Sequence, residues 1–216
     1  MNLVPAVLEK DFDSIEKRID SFSNLFDIFQ LDVVDGSCAP NKTWPYLQDN
    51  IIDEMERVKN LKINFELDYM ASPIDEHLYK WIELGAKKII LHSCCCEDIG
   101  KYIKIIKSTG VDVYIAFTPS VSIDKYKDEI ELSDGVQCMG IAEIGKQGQS
   151  FSEDVYKIID EIKEKHPEKN ISIDGGVKLD NIKKISKTGI IQAVSGSALI
   201  NGNVDENLKK FNNLIE

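Results

Sequence analysis

Two short apolar stretches end in small residues. Ile171-Ser172-Ile173 runs into Asp174-Gly175-Gly176, and the stretch from Ile190 to Val194 runs into Ser195-Gly196-Ser197-Ala198. Glycine turns let a backbone come close to a ligand. Backbone N–H groups at the start of a helix favour an anion, so two such turns on neighbouring strands can grip one phosphoryl group. Asp174 brings a carboxylate to the same edge. Two more carboxylates, Asp32 and Asp68, stand near the ends of other apolar stretches. A carboxylate pointing into an apolar interior is costly unless it is paired, hydrogen-bonded or on a metal. If Asp32, Asp68 and Asp174 converge, they suit either a metal ion or proton transfer.

The elements that must position these groups alternate along the whole chain. Strands are predicted over 3–8, 27–34, 63–70, 88–93, 111–118, 135–142, 171–173 and 190–194. Helices are predicted over 11–21, 45–58, from a Ser72-Pro73 start to Gly85, and over 96–108, 122–132, 152–165, 179–187 and 204–215. Within 45–58, Leu47, Ile51, Met55 and Val58 recur at steps of four, four and three. Alternation of this kind argues a parallel sheet, and eight strand–helix units favour closure into a (β/α)₈ TIM barrel. A doubly wound open sheet is the competing architecture. No Pro/Gly/Ser-rich linker interrupts residues 1–216, so a single domain is expected.

Composition bounds the function. The 216 residues are 43% apolar and 29% charged, with a formal charge of −11. That balance fits a folded chain and speaks against nucleic acid as a partner. It also means that an anionic ligand must be held by local backbone dipoles. The N-terminus has no basic segment followed by an apolar run, and no apolar run reaches the ~18 residues of a membrane span. A cytoplasmic protein without a membrane partner is expected. Of five cysteines, three are adjacent, Cys94-Cys95-Cys96, which is poor disulfide geometry, so reduced thiols are expected. Adjacent cysteines on a strand-to-helix turn are expected to point in different directions, so that few could share one metal ion.

Strand ends supply the remaining candidates: Gln30, Asp32 and Asp35; Glu66, Asp68 and Met70; His92; Met139; and Gly145, Lys146, Gly148 and Gln149 in the following loop. Period two places Gln30, Asp32 and Val34 on one face, and Glu66, Asp68 and Met70 on another. Lys146 reads as a solvated loop lysine. His77 and His166 read as surface residues, and Trp81 as core. Trp44-Pro45 either covers the mouth or supports contact between copies in a homo-oligomer; the sequence leaves both open.

These residues resemble the ribulose-phosphate 3-epimerase family, within the ribulose-phosphate-binding type of barrel. The resemblance rests on Pro5-Ala6-Val7-Leu8 with Asp11-Phe12, on Leu31-Asp32-Val33-Val34-Asp35-Gly36 with Pro40-Asn41, and on Met70, His92, Thr118-Pro119, Gly148-Gln149 with Phe151, Asp174-Gly175-Gly176 and Ser195-Gly196-Ser197-Ala198, in that order. It implies an isomerase that moves a proton at the carbon next to the ketone of a phosphorylated sugar. Asp32 and Asp174 match its two acid/base carboxylates. Gly148, Gly175, Gly176, Gly196 and Ser197, with Gln149, match its phosphate-binding turns. Met70 and Met139 match its apolar cover, and His92 matches a residue at the barrel mouth.

The chain also departs from the family. The family's metal is usually held by two histidines and the same two aspartates; the histidine positions are taken here by Gln30 and Asp68. The opening serine is Ala6, one methionine is Val34, and Glu143 to Gly148 replaces a proline- and glycine-rich loop. The implied metal set of Gln30, Asp32, Asp68 and Asp174 is all oxygen, so it favours Mg²⁺ or Mn²⁺ over Zn²⁺ or Fe²⁺, or holds no metal. Lyase-type chemistry on the same barrel, or phosphosugar binding without catalysis, are the alternatives. Relatives with lyase chemistry typically carry Asp-x-Lys on strand three, where this chain has Asp68-Tyr69-Met70.

Overall fold

Each strand of the chain pairs in parallel with the next, and the last returns to the first, so the sheet has no edge. The computed structural model describes residues 1–72 and 75–215. The strands are β1 (Asn2–Val7), β2 (Phe29–Val34), β3 (Phe65–Met70), β4 (Lys88–His92), β5 (Asp112–Phe117), β6 (Gly135–Met139), β7 (Asn170–Asp174) and β8 (Gln192–Ser195). Between and after them run α1 (Phe12–Asp20), α2 (Ile51–Glu56), α3 (Asp75–Glu83), α4 (Ile99–Ser108), α5 (Lys127–Leu132), α6 (Val155–Lys165), α7 (Ile182–Ser186), α8 (Ser197–Ile200) and α9 (Val204–Asn212). This is a (β/α)₈ TIM barrel. Among the described residues, no helix is long and apolar enough to cross a membrane.

Strand parity divides the side chains into two sets. Phe29, Leu31, Val33, Phe65, Leu67, Tyr69, Ile89 and Leu91 face outward into the layer between sheet and helices, where the main core lies. The alternate positions face the barrel axis. Near the amino-terminal end of the barrel they form a polar plug. Lys88 Nζ lies 2.8 Å from Glu66 Oε2 and 3.1 Å from Gln192 Oε1, and Gln192 Nε2 donates to Glu66 Oε1 at 2.6 Å. The plug pairs every charge it buries, as a low-dielectric interior demands. It also removes Glu66 from the functional candidates, because Glu66 sits one step deeper than Asp68 on the same face.

Several helices begin later than the sequence suggests. The segment predicted over 45–58 is helical only from Ile51, followed by a 3₁₀ stretch from Arg57 to Leu61. Trp44 explains the delay. It is fully buried between Phe12 and Trp81, and its indole N–H donates to Glu54 Oε2 at 2.8 Å. It therefore belongs to the core, neither covering the mouth nor facing another copy, and Leu47 is left exposed. Trp81 is core, as read from the sequence. His166 is not a surface residue but is buried behind α6, while His77 is half-buried. The Pro73 start of the third helix lies outside the described residues.

Candidate active site

Adjacent parallel strands set Asp32 and Asp68 side by side as register partners on β2 and β3. Asp174 ends β7 opposite Met139 on one side and Val194 on the other. Curvature of the closed sheet carries these three strands to one point: carboxylate oxygens of Asp32, Asp68 and Asp174 lie within 4.8 Å of one another. Gln30, one inward position below Asp32, spans the group. Its Nε2 donates to Asp32 Oδ1 at 2.9 Å and to Asp174 Oδ2 at 2.8 Å. His92, at the end of β4, sets its Nε2 2.5 Å from Asp68 Oδ1.

Packing three carboxyls together has a direct electrostatic consequence. Burial, with the negative charges of Asp174 and Asp68, raises the Asp32 carboxyl well above the ordinary carboxylate range. Burial and the charge of Asp68 push Asp174 up to about 7, against the lowering influence of Gln30. Like charges at this distance cannot all ionise in a dry pocket, so the cluster retains a proton near neutral pH. Val34, Met70, Ile90, Met139 and Ile141 form the apolar cluster around it.

The same cavity extends from Asp32, Asp68 and Asp174 to the loops after β6, β7 and β8. Its wall includes Met70, Met139, Gly148, Gln149, Gly175, Gly176, Gly196 and Ser197. Gly176 has φ +67°, and a Cβ there would stand 2.9 Å from Phe151 Cα, so this turn requires glycine. Asn181 Nδ2 donates to Gly176 O at 2.9 Å, and Ser195 Oγ donates to Val177 O at 3.0 Å. The first braces the turn after β7 from within, and the second ties it to the end of β8. Helix α7 starts only at Ile182, so the turn after β7 is a loop and α8 alone begins directly at its glycine turn.

The structure therefore gathers the expected residues in one cavity, with three differences. His92 is withdrawn from the wall and stands behind Asp68. Gln149 lines the cavity, but its amide donates to Lys146 O at 3.0 Å and to Glu143 O, bracing its own loop. Gln30 presents its NH₂, and not its oxygen, to Asp32 and Asp174. The cavity also contains residues that sequence reasoning passed over. Gln147 packs against Gly196, and Lys178 follows the Gly175-Gly176 turn. Their only sequence signal is proximity to a glycine turn. Lys146 reaches Glu143 Oε2 at 3.2 Å.

The cysteines depart from expectation. Cys38, in the loop after β2, is bonded to Cys95, in the loop after β4, while Cys94, Cys96 and Cys138 are free. The bridge does not use neighbouring cysteines. It joins the loops after the two strands that flank β3.

The carboxylate cluster fits a divalent cation. Asp68 Oδ2 and Gln30 Oε1 are buried acceptors without a hydrogen-bond partner among the described residues. Three acidic side chains at one point offer the hard oxygen donors such an ion takes. Asp32, Asp68 and Asp174 would hold it, and Gln30 would join by turning its amide end for end.

With this geometry in view, the relatives are informative. The model of the ribulose-phosphate 3 epimerase family matches residues 2–200. The chain belongs to this family. A ribulose-phosphate 3-epimerase of Buchnera aphidicola is 30% identical, over 99% of this chain and 95% of its own. Its counterpart in Escherichia coli is 24% identical over 91% of this chain and 88% of its own. Solved structures share the fold at lower identity. A 3-hexulose-6-phosphate synthase superposes with a TM-score of 0.70 at 16% identity, covering 100% of both chains. A 3-keto-L-gulonate-6-phosphate decarboxylase from Vibrio cholerae gives 0.72 at 14%, over 100% of this chain and 96% of its own. The Asp32–Asp174 cavity lies at the carboxyl ends of the strands, where barrel enzymes do their chemistry.

Proposed function

We propose that this chain is a single-domain ribulose-phosphate 3-epimerase of the cytoplasm, acting on a ketose phosphate by proton transfer between Asp32 and Asp174. One observation carries the reading. Two carboxyls with raised proton affinity share one apolar-walled cavity, and the far end of that cavity is a pair of glycine turns suited to a phosphoryl group.

The chemistry follows from the charge state. Epimerisation needs one carboxylate to take the proton from the carbon beside the ketone, and a protonated carboxyl to return one on the opposite face. A single base could only return the proton where it came from. A cluster that retains a proton near neutral pH supplies both partners. In the ion-free site Gln30 fixes the rotamers of both carboxyls through its two hydrogen bonds, and Met70 and Met139 keep water from the intermediate. Gly176, Gly196 and Ser197 bind the phosphoryl group through their backbone amides, with Lys178 adding a positive charge. When a divalent cation is bound, it supplies electrophilic stabilisation of the enediolate. The all-oxygen donor set favours Mg²⁺ or Mn²⁺ for that role.

Incubation with ribulose 5-phosphate and Mn²⁺ in D₂O tests the proposal. Deuterium entering at carbon three together with conversion to the epimer is expected. Tight binding of the sugar phosphate without exchange, in the presence of any divalent ion, would overturn it.

A further inference from the structure

Beside the carboxylate site, the loops after β2 and β4 meet, and three sulfur atoms converge there. Cys38 is bonded to Cys95. Cys95 N donates to His92 O at 3.0 Å, closing a tight turn. That turn brings Cys94 Sγ to 3.9 Å from Cys95 Sγ. Sγ atoms of Cys38, Cys94 and Cys95 all lie within 4.8 Å of one another. Of the three adjacent cysteines, expected to diverge, Cys94 and Cys95 come together because the turn folds Cys94 back toward its neighbour. Cys96 lies outside the group.

We propose that, once the Cys38–Cys95 bridge is reduced, Cys38, Cys94 and Cys95 form a thiolate site for a soft, closed-shell metal ion of the Zn²⁺ type. One of the three sulfur separations already matches such a site. With Zn–S bonds of about 2.3 Å and tetrahedral angles, two sulfur ligands stand ~3.8 Å apart. The Cys94–Cys95 separation is already close to this. The surroundings suit a cation: Ser37, Ser72, Ser93, Glu97 and Asp98 line the same cavity, and its one lysine, Lys101, sets its ammonium 3.3 Å from Asp75. Asp98 caps α4, accepting from Lys101 N at 3.1 Å, so a water would complete the coordination.

The steps balance. A dithiol reductant gives two electrons and two protons; its own sulfurs become a disulfide, the Cys38–Cys95 bond breaks, and two thiols form. Binding of the ion then releases three thiol protons. A bridge in a reducing compartment is expected to open in this way. Sulfur donors select a soft ion, whereas the oxygen cluster at Asp32, Asp68 and Asp174 selects a hard one. The two sites therefore sort different metals, and the thiolate site does not depend on the epimerase assignment.

The test uses the full chain, reduced with a phosphine and titrated with Cd²⁺, read by the ultraviolet sulfur-to-metal charge-transfer band. A band saturating at one ion per chain is expected. It should be absent from the oxidised chain, lost in Cys38→Ser and in Cys94→Ser, and retained in Cys96→Ser and Asp68→Asn. Retention in Asp68→Asn separates it from the carboxylate cluster. The comparison of oxidised with reduced wild type needs no substitution, so a variant that fails to fold leaves the test intact. No band in the reduced chain, an equal band in the oxidised chain, or a band that survives both Cys38→Ser and Cys94→Ser would overturn the proposal.

Discussion

His92 Nε2 stands 2.5 Å from Asp68 Oδ1, and each side chain is only 1% exposed. The pair is closed to solvent, yet it directs the other carboxylate oxygen, Asp68 Oδ2, toward no partner among the described residues. His92 is therefore a positioning residue, fixing the carboxylate that a cation would use. Replacing it with Phe is expected to weaken Mn²⁺ binding by about ten- to a hundredfold, the usual cost of losing a group that orients a metal ligand. Electron paramagnetic resonance of free Mn²⁺ reads this without any turnover.

The two-carboxylate reading separates exchange from inversion. Asp32→Asn and Asp174→Asn should each lower kcat by roughly a hundred- to ten-thousandfold. Starting from one epimer, the variant that keeps the base facing the substrate proton should still wash deuterium into carbon three while failing to invert it. The other variant should do neither. Equal exchange in both variants would contradict a base on each face.

Stability should fall as pH rises through the acidic range. Asp174 has its carboxyl raised from 3.8 to about 7 by burial and by Asp68. A raised carboxyl binds its proton more tightly in the folded chain. Its contribution is complete below about pH 3.8 and is lost as pH climbs toward about 7. Melting temperatures measured across that window should decline with pH, and the decline should be shallower in Asp174→Asn. Mn²⁺ needs the ionised carboxylates, so the increase in melting temperature it gives should grow with pH.

Gly176→Ala tests the phosphate end. A methyl group at φ +67°, 2.9 Å from Phe151 Cα, should destabilise the fold by about 1–3 kcal/mol. It should raise the KM for the sugar phosphate more than it lowers kcat. Gly196→Ala meets instead the flexible end of Gln147 and should be the milder change by thermal melting.

On the proposed reading, Gln30 would set the hardness of a cation site at this cluster. Gln30→His introduces a nitrogen donor beside Asp32 and Asp174, and competition binding should show preference moving from Mn²⁺ toward Zn²⁺. Gln30→Leu removes both hydrogen bonds that lower the proton affinity of the carboxyls. The base limb of the pH–rate profile should then move to higher pH.

The sequence by itself determined what is local. Alternating strand and helix periods, the glycine turns after Asp174 and Ser195, and the shared parity of Gln30 with Asp32 and of Asp68 with Met70 are short-range properties. They were enough to expect the barrel and to set Asp32, Asp68, Asp174 and the two glycine turns at the ends of strands. Parity fixes which face a side chain takes but not how deep along the barrel axis it lies. Only closure of the sheet put Glu66 into the plug with Lys88 and Gln192 while leaving Asp68 at the mouth. Helix starts were likewise displaced, because burying Trp44 against Phe12 and Trp81 outweighed the helical spacing of Leu47 and Ile51. Contacts between distant segments lie further still from what a local pattern encodes. Cys38 bonds to Cys95 across 57 residues, and His92 reaches Asp68 from the next strand, because the strands curve around one axis and deliver their ends to one rim.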